Sequence, residues 1–437
     1  MAIDASLLGV LSVVALMVLV GLGMRIFAAA ALVGFTGLAL QIGWGGAMGL
    51  AGLTPYAKAA TYEFSVLPMF VLIGFLAFHA GMTREIFEAA RIWVGRFPGG
   101  LAVATVFATA GFSAISGAST ATAAVFSRVA LPEMLERGYK ASISAGVVAA
   151  GGTLASLIPP SGILVVYGII AEASIGRLLL AGFIPGVISA IVYAATVLIL
   201  FKRDPDLGPA GEAYPVLEKI KSLRQLMGVG LVVFIILGGL YTGWLTPTET
   251  GAAGAAVMLA FCLFRAGFAL ANLKDAFIET VKVSSMIFSV IWAVLIYVRF
   301  LGFTGLPGDI AEWVLVVPAN RYVILIGILL FYVVLGMFMD AIGMLLLTLP
   351  IVLPTIVGLG FDPIWFGIIL VKMAEICLIT PPIGLNCFVV HGVRPDIPLP
   401  TIFRGAFPFF FSDVATVALL IAFPEIVLWL PNQVAGG

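Results

Sequence analysis

From Leu7 to Leu430 the chain repeats one pattern, a run of mostly apolar residues followed by a short charged or turn-rich break. Roughly 20 such residues in a helix cross the hydrocarbon core of a bilayer. In lipid only a helix or a closed barrel satisfies every backbone polar group. The pattern therefore predicts an all-α polytopic membrane protein, with the lipid bilayer as its main solvent. Composition agrees, since 62% of the residues are hydrophobic and 10% charged, against about 25% charged in a soluble domain. Lys plus Arg and Asp plus Glu balance at 22 each, so no net field points to nucleic acid. The stretch from Leu7 to Leu22 lacks a basic segment before it and a small-residue cleavage site after it, and is expected to be a retained first helix. Cys262, Cys377 and Cys387 have no metal-ligand spacing and read as buried filler.

Crossings are expected near 7–23, 26–44, 64–81, 178–200, 226–243, 251–265, 283–301 and 406–430, with interrupted ones near 141–175 and 363–392. The N-terminal tail has no Lys or Arg and Arg25 follows the first helix, which predicts a periplasmic N-terminus. The clusters Arg84, Arg91, Arg96, then Arg128, Arg137, Lys140, then Lys202, Arg203, Lys219, Lys221, Arg224 then lie in the cytoplasm. Residues 99–135 must accordingly enter and leave on one side, as a re-entrant helical hairpin.

A second copy of the plan follows. Shifting the chain by 222 residues superposes Leu131-Pro132 on Leu353-Pro354, Pro159-Pro160 on Pro381-Pro382 and Gly162 on Gly384. Each half then holds about five transmembrane helices, one of them broken, and one hairpin. An odd number of crossings inverts the second copy relative to the first. The expected organisation is a first inverted repeat over 1–201 with its hairpin near 99–135, a cytoplasmic linker over 202–224, and a second repeat over 225–437 with its hairpin near 321–358. The linker reads equally as a solvated loop or as a short helix on the membrane surface. Such repeats are common in secondary transporters, whose sites lie where broken helices meet near mid-membrane.

The first hairpin carries a run of small and hydroxyl residues from Gly111 to Thr122, opposite the break Ser156-Leu-Ile-Pro-Pro-Ser161. Two prolines remove two backbone donors and free carbonyls one turn earlier. With Ser and Thr hydroxyls these offer neutral oxygens to a dehydrated cation. The second half offers the tip from Gly336 to Gly343 and the break from Cys377 to Gly384. Two related sites suggest two ions, though the same features could serve as packing and kinks. Arg299 ends an apolar stretch where its repeat counterpart is Ala77. An intramembrane Arg marks a functional site by default, and its planar fork suits a carboxylate; snorkelling or an ion pair with Asp340 is the plainer reading. Lys372 and Glu375 stand three apart and read as a self-neutralising pair before a proton relay. Glu249 reads as a helix-capping carboxylate.

The segments Leu67-Pro-Met-Phe-Val-Leu-Ile-Gly74, Ser116-Gly-Ala-Ser119, Thr246-Pro-Thr-Glu249 and Leu378-Ile-Thr-Pro-Pro-Ile-Gly-Leu-Asn386 occur in order and spacing. Together they resemble the large membrane subunit of TRAP (tripartite ATP-independent periplasmic) transporters, within the ion-transporter superfamily. The resemblance covers nearly the whole chain. It implies an elevator-type transport domain carrying both hairpins against a fixed scaffold, in a bacterial inner membrane. It also implies a small membrane subunit, expected as a separate chain, and a periplasmic substrate-binding protein. The function implied is sodium-coupled import of a small organic anion, carboxylate or sulfonate, with no cofactor beyond the coupling sodium ions and no enzymatic activity. Sodium would bind among Ser116, Gly117, Ser119, Ser156, Pro159 and Ser161, and among Gly336, Met339, Asp340, Cys377, Thr380 and Ile383. Substrate would lie near Ser113, Ser116, Ser161 and Arg299. Cys377 departs from the small or hydroxyl residue expected there, leaving its carbonyl as the donor. A stand-alone sodium–dicarboxylate symporter of the same superfamily is the nearest rival. An intramembrane enzyme would need paired carboxylates, an HExxH motif or a histidine beside Ser116, and these are lacking.

Overall fold

The computed structural model describes residues 4–59, 61–209, 211–265, 268–337, 339 and 341–434. Among them the regular elements are all helical. In chain order these are α1 (Ala5–Gly21), α2 (Ile26–Ala59), α3 (Val66–His79), α4 (Met82–Val94), α5 (Gly100–Ser116), α6 (Ser119–Glu136), α7 (Ala141–Thr153), α8 (Gly162–Ile170), α9 (Ile175–Arg203) and α10 (Val216–Gln225). There follow α11 (Met227–Thr242), α12 (Pro247–Leu263), α13 (Leu270–Thr304), α14 (Leu306–Val316), α15 (Arg321–Gly336), α16 (Ala341–Gly358), α17 (Pro363–Ile379), α18 (Leu385–Val393), α19 (Leu399–Ala422) and α20 (Glu425–Gln433).

Local chemistry sets several of the starts. The Asp362 carboxylate accepts from the amides of Ile364 and Trp365 at 2.7 and 3.0 Å, with Pro363 at the first helical position, where a missing N–H is harmless. Thr246 and Glu249 close a reciprocal capping box at the head of α12, the Glu249 carboxylate accepting from the Thr246 amide at 2.8 Å. Glu249 therefore has the capping contacts that its position suggests.

Among the described residues four helices are long and apolar enough to cross a membrane: α2 as far as Thr54, α9, α13 and α19. The number rises to six if the bent pairs α3/α4 (73°) and α10/α11 (63°) each count as one span. Three expected crossings differ in extent. The one near 26–44 continues to Thr54, past non-helical backbone at Gly43 (φ 79°). The one near 283–301 is the end of a 35-residue helix that starts at Leu270. The one near 406–430 is divided, because Pro424 cannot extend α19 and disfavours helical geometry at Phe423, so α20 begins afresh at Glu425. Part of the linker is the short helix α10, which packs on α4.

The interior is organised around α17, in which every residue from Ile364 to Ile379 is buried. α7, α8, α9, α15, α16, α18 and α19 pack on it, and the α5–α6 hairpin packs on α7 and α18, while α13 lies along α2 and α3 on the outer side. One element order occurs twice: a helical hairpin, a broken helix and a long helix (α5–α6, α7/α8, α9; then α15–α16, α17/α18, α19). Each break falls opposite the tip of its hairpin, and that juxtaposition positions the site.

Candidate ion and substrate site

The first hairpin turns in two residues. Gly117 takes a left-handed φ of 62°, which stops α5 at Ser116, and the extended Ala118 lets Ser119 start α6. Opposite it, α7 passes through a short 3₁₀ turn at Leu154–Ser156, and the chain is then interrupted by Pro159 and Pro160. Ser161 restarts the helix, its hydroxyl accepting from the Leu164 amide at 3.3 Å. Tip and break are in direct contact. The Gly117 carbonyl accepts from the Gly162 amide at 3.3 Å, and a Cβ on Gly117 would lie 2.3 Å from the Pro160 carbonyl oxygen. The Ser119 and Ser156 hydroxyls are 2.5 Å apart, and Ser161 Oγ donates to the Ser156 carbonyl. Thr122 Oγ1 donates to Ser116 Oγ at 3.3 Å.

Ser116, Gly117, Ser119, Ser156 and Ser161 are thus brought together, with Pro159 buried inside the break. Their oxygens are neutral hydroxyls and carbonyls, a donor set for a hard monovalent cation and unsuited to a soft transition metal. Among the described residues no group of three or more His, Cys, Asp or Glu could hold a metal ion. Ser113 lies one turn below Ser116, fully buried, and donates at 2.6 Å to the Thr109 carbonyl of its own helix.

At the second break α17 ends at Ile379, Thr380 is extended and Gly384 precedes α18. Thr380 Oγ1 donates to the Ile376 carbonyl at 2.5 Å. The end of α15 rests on α17 so closely that a Cβ on Gly336 would lie 1.9 Å from Cys377 Sγ. That contact accounts for the departure at Cys377: its side chain fills the space left by Gly336, with Sγ 3.6 Å from the Tyr332 carbonyl. Met339 is buried and Ile383 exposed. Asp340 lies outside the described residues.

A cavity of about 410 Å³ opens beside the first tip. Ser116 to Ala121 form one wall with Pro160 and Gly162, α3 and residues Glu279 to Ile287 of α13 the other, while Ala341, Ile342, Leu378 and Leu385 enter from the second half. Two charged groups line it, Arg128 on α6 and Glu279 on α13. Glu279 also lies 3.1 Å from His79 Nε2. Arg128 is exposed and has no ion-pair partner among the described residues. Arg299 does not line this cavity. It sits on an exposed face of α13, twelve residues beyond Ile287 and so about 18 Å along the helix axis. Sequence reasoning placed Arg128 only as a topology marker. Its repeat counterpart at the 222-residue shift, Pro350, is uncharged, as Ala77 is for Arg299, so the same asymmetry was a signal that could have singled it out.

Lys372 and Glu375 do pair, at 2.6 Å, but within a larger fully buried cluster. Lys372 Nζ also reaches Asp413 Oδ1 of α19 at 2.7 Å, and the Tyr193 hydroxyl of α9 donates to the same carboxylate.

With this geometry in hand, comparison with known proteins is decisive. The family model "Tripartite ATP-independent periplasmic transporter, DctM component" matches residues 7–426. The chain belongs to the DctM family of TRAP transporter subunits. It is 34% identical over 373 residues to the C4-dicarboxylate TRAP transporter large permease protein DctM of Pseudomonas aeruginosa, covering 85% of this chain and 86% of that one. It is 32% identical, with the same two coverages, to the sialic acid TRAP transporter large permease protein SiaM of Vibrio cholerae. Against the isethionate TRAP transporter permease protein DctMQ of Oleidesulfovibrio alaskensis it is 32% identical over 77% of this chain, and spans about half of that longer relative (53%). Among solved structures the Alcanivorax borkumensis YdaH transporter superposes with a TM-score of 0.54 at 15% identity, over 83% of this chain and 86% of that one. At that identity the likeness is one of fold. As a DctM-family protein the chain is a multi-pass membrane transporter subunit and not an enzyme.

Proposed function

We propose that this large TRAP subunit is the translocating component of a sodium-coupled importer for a small organic anion, working in a bacterial inner membrane with a small membrane subunit and a periplasmic binding protein. The observation that carries the sodium reading is the 2.5 Å contact between Ser119 and Ser156, where a hairpin tip and a proline-broken helix present neutral oxygens to one point. The second break is proposed by analogy as a second ion point, with Thr380 and the carbonyls at the end of α17 as its donors. Asp340 keeps its proposed place there from sequence alone.

The cavity is the proposed substrate chamber. It borders Ser116 directly and carries Arg128 as a counter-charge for an anion. By the positive-inside reading its mouth, marked by Arg128, His79 and Glu279, faces the cytoplasm. Arg299 would meet substrate only after the hairpin layer slides along α13, which is the displacement an elevator of two inverted repeats requires. The relatives are named for a C4-dicarboxylate, a sialic acid and isethionate, and an acidic small molecule is what these have in common.

The test is thermal melting of the full chain with its small subunit in sodium, potassium or choline chloride at equal ionic strength. Sodium is expected to raise the melting temperature in a saturable way, as a ligand that binds only the folded state does. Ser119→Ala with Ser156→Ala should remove most of that rise at moderate sodium. A rise of equal size in all three salts would contradict the ion sites.

A further inference from the structure

The linker helix α10 belongs to neither the breaks nor the cavity. Four of its ten residues, Glu218, Lys219, Lys221 and Arg224, are charged, which keeps it out of the hydrocarbon core. It is set at 63° to α11, the apolar helix that begins two residues later. Before it, the long apolar run of α9 ends in Lys202 and Arg203, both exposed. α10 therefore joins the ends of two apolar helices, turned out of their direction, at the level where hydrocarbon gives way to water.

Its two faces differ. Ser222 is buried and accepts from Trp93 Nε1 of α4 at 3.2 Å, which holds that face against α4. Trp93 is itself partly exposed, an amphipathic ring of the kind that settles at a membrane–water boundary. The opposite face carries Val216, Leu217, Ile220 and Leu223, at the i, i+1, i+4, i+7 spacing of one apolar stripe. These four side chains are between 46% and 71% exposed, so no other part of this chain covers them among the described residues. Lys221 borders the stripe along one edge, Lys219 along the other, and Arg224 closes its C-terminal end, while Glu218 lies on the Ser222 side. None of the three cations has an ion-pair partner among the described residues.

An open apolar stripe edged by unpaired, long cationic side chains suits one occupant, the headgroup layer of an anionic leaflet. The stripe sinks into the acyl boundary, and the Lys and Arg stems lie along it and lift their charges to the phosphates. A protein covering the same stripe would have to bring matching acids to three positions, whereas anionic lipid supplies that charge without a matched surface.

We infer that α10 is a lipid-binding helix that takes anionic phospholipid headgroups through Lys219, Lys221 and Arg224. The test titrates the full chain with its small subunit in detergent with phosphatidylglycerol or phosphatidylcholine of the same acyl chains, and counts bound lipid by native mass spectrometry. Phosphatidylglycerol is expected to bind and phosphatidylcholine to bind far more weakly. One cation near an anionic surface is worth about five-fold in binding, so Lys219→Gln/Lys221→Gln/Arg224→Gln should weaken phosphatidylglycerol binding by about 100-fold. Lys219→Arg/Lys221→Arg/Arg224→Lys should bind it as wild type does. Leu217→Ser/Ile220→Ser keeps every charge, removes the middle of the stripe and should weaken binding by about ten-fold. Equal binding of the two lipids overturns the inference, as does a loss in the triple Gln variant no larger than in Lys274→Gln/Lys282→Gln on α13. It is overturned too if Leu217→Ser/Ile220→Ser releases the small subunit or changes the oligomeric state with phosphatidylglycerol still bound as in wild type, since the stripe would then be a protein interface.

Discussion

Replacing Gly117 with valine is expected to lower apparent sodium affinity by about 100-fold, at the upper end of what disturbing the support of a metal site costs, while the chain still reaches the membrane. Two effects combine at this residue. Its φ of 62° is left-handed, which a β-branched residue adopts only with strain. Its Cβ would also collide with the Pro160 carbonyl, 2.3 Å away, and backbone cannot step aside as a flexible side chain can. The hairpin tip must then withdraw from the break, and the Ser119–Ser156 contact opens. Gly138 separates the two effects, because it has a φ of 84° but open space around its Cβ position. Gly138→Ala should therefore cost about 1 kcal/mol in stability and leave sodium dependence unchanged. Comparable sodium-affinity losses in the two variants would show that the tip contact is not what matters.

A second large effect is expected at Lys372. Removing one partner of a buried ion pair strands the other, at about 3–5 kcal/mol, so Lys372→Met should sharply reduce the melting temperature and the yield of folded protein. The charge rather than the shape is at issue, and Met retains most of the side chain's volume. Combining Lys372→Met with Glu375→Gln and Asp413→Asn removes the ammonium and both of its carboxyl partners and should recover much of the loss, measured by melting of the single variants and the triple. Additive losses would mean that the three residues do not depend on one another.

Much of this architecture was legible along the chain because helix breaking is local chemistry. Pro159-Pro160 and Pro381-Pro382 remove donors wherever they stand, and Gly117 and Gly384 end or begin helices by their own φ. The helix ends at Ser116 and Ile379 accordingly fall beside the glycines and prolines that the sequence marks as breaks. What could not be read was which side chains face each other across the fold. Asp413 joins Lys372 from 41 positions away, and Tyr193 joins Asp413 from 220, through the packing of α9, α17 and α19. A local (i, i+3) rule found Lys372 with Glu375 and stopped there. Arg299 and Arg128 show the same limit from the other side. Both are charges on apolar helices, and nothing along the chain says that Arg128 lines the cavity while Arg299 lies on an exposed face of α13. The thiol of Cys377 occupies the space that Gly336, lacking a side chain, leaves open, a fit across two helices that the chain order does not display.

Sodium coupling through the two breaks is tested most directly by uptake into proteoliposomes. The chain is reconstituted with its small subunit, the cognate binding protein loaded with radiolabelled organic anion is added outside, and uptake is followed under an imposed gradient. An inward sodium gradient is expected to drive accumulation that is lost without the binding protein and lost again in Ser119→Ala/Ser156→Ala at subsaturating sodium. Accumulation of the same size in sodium-free buffer, driven by a proton gradient or by ATP alone, would contradict the central claim.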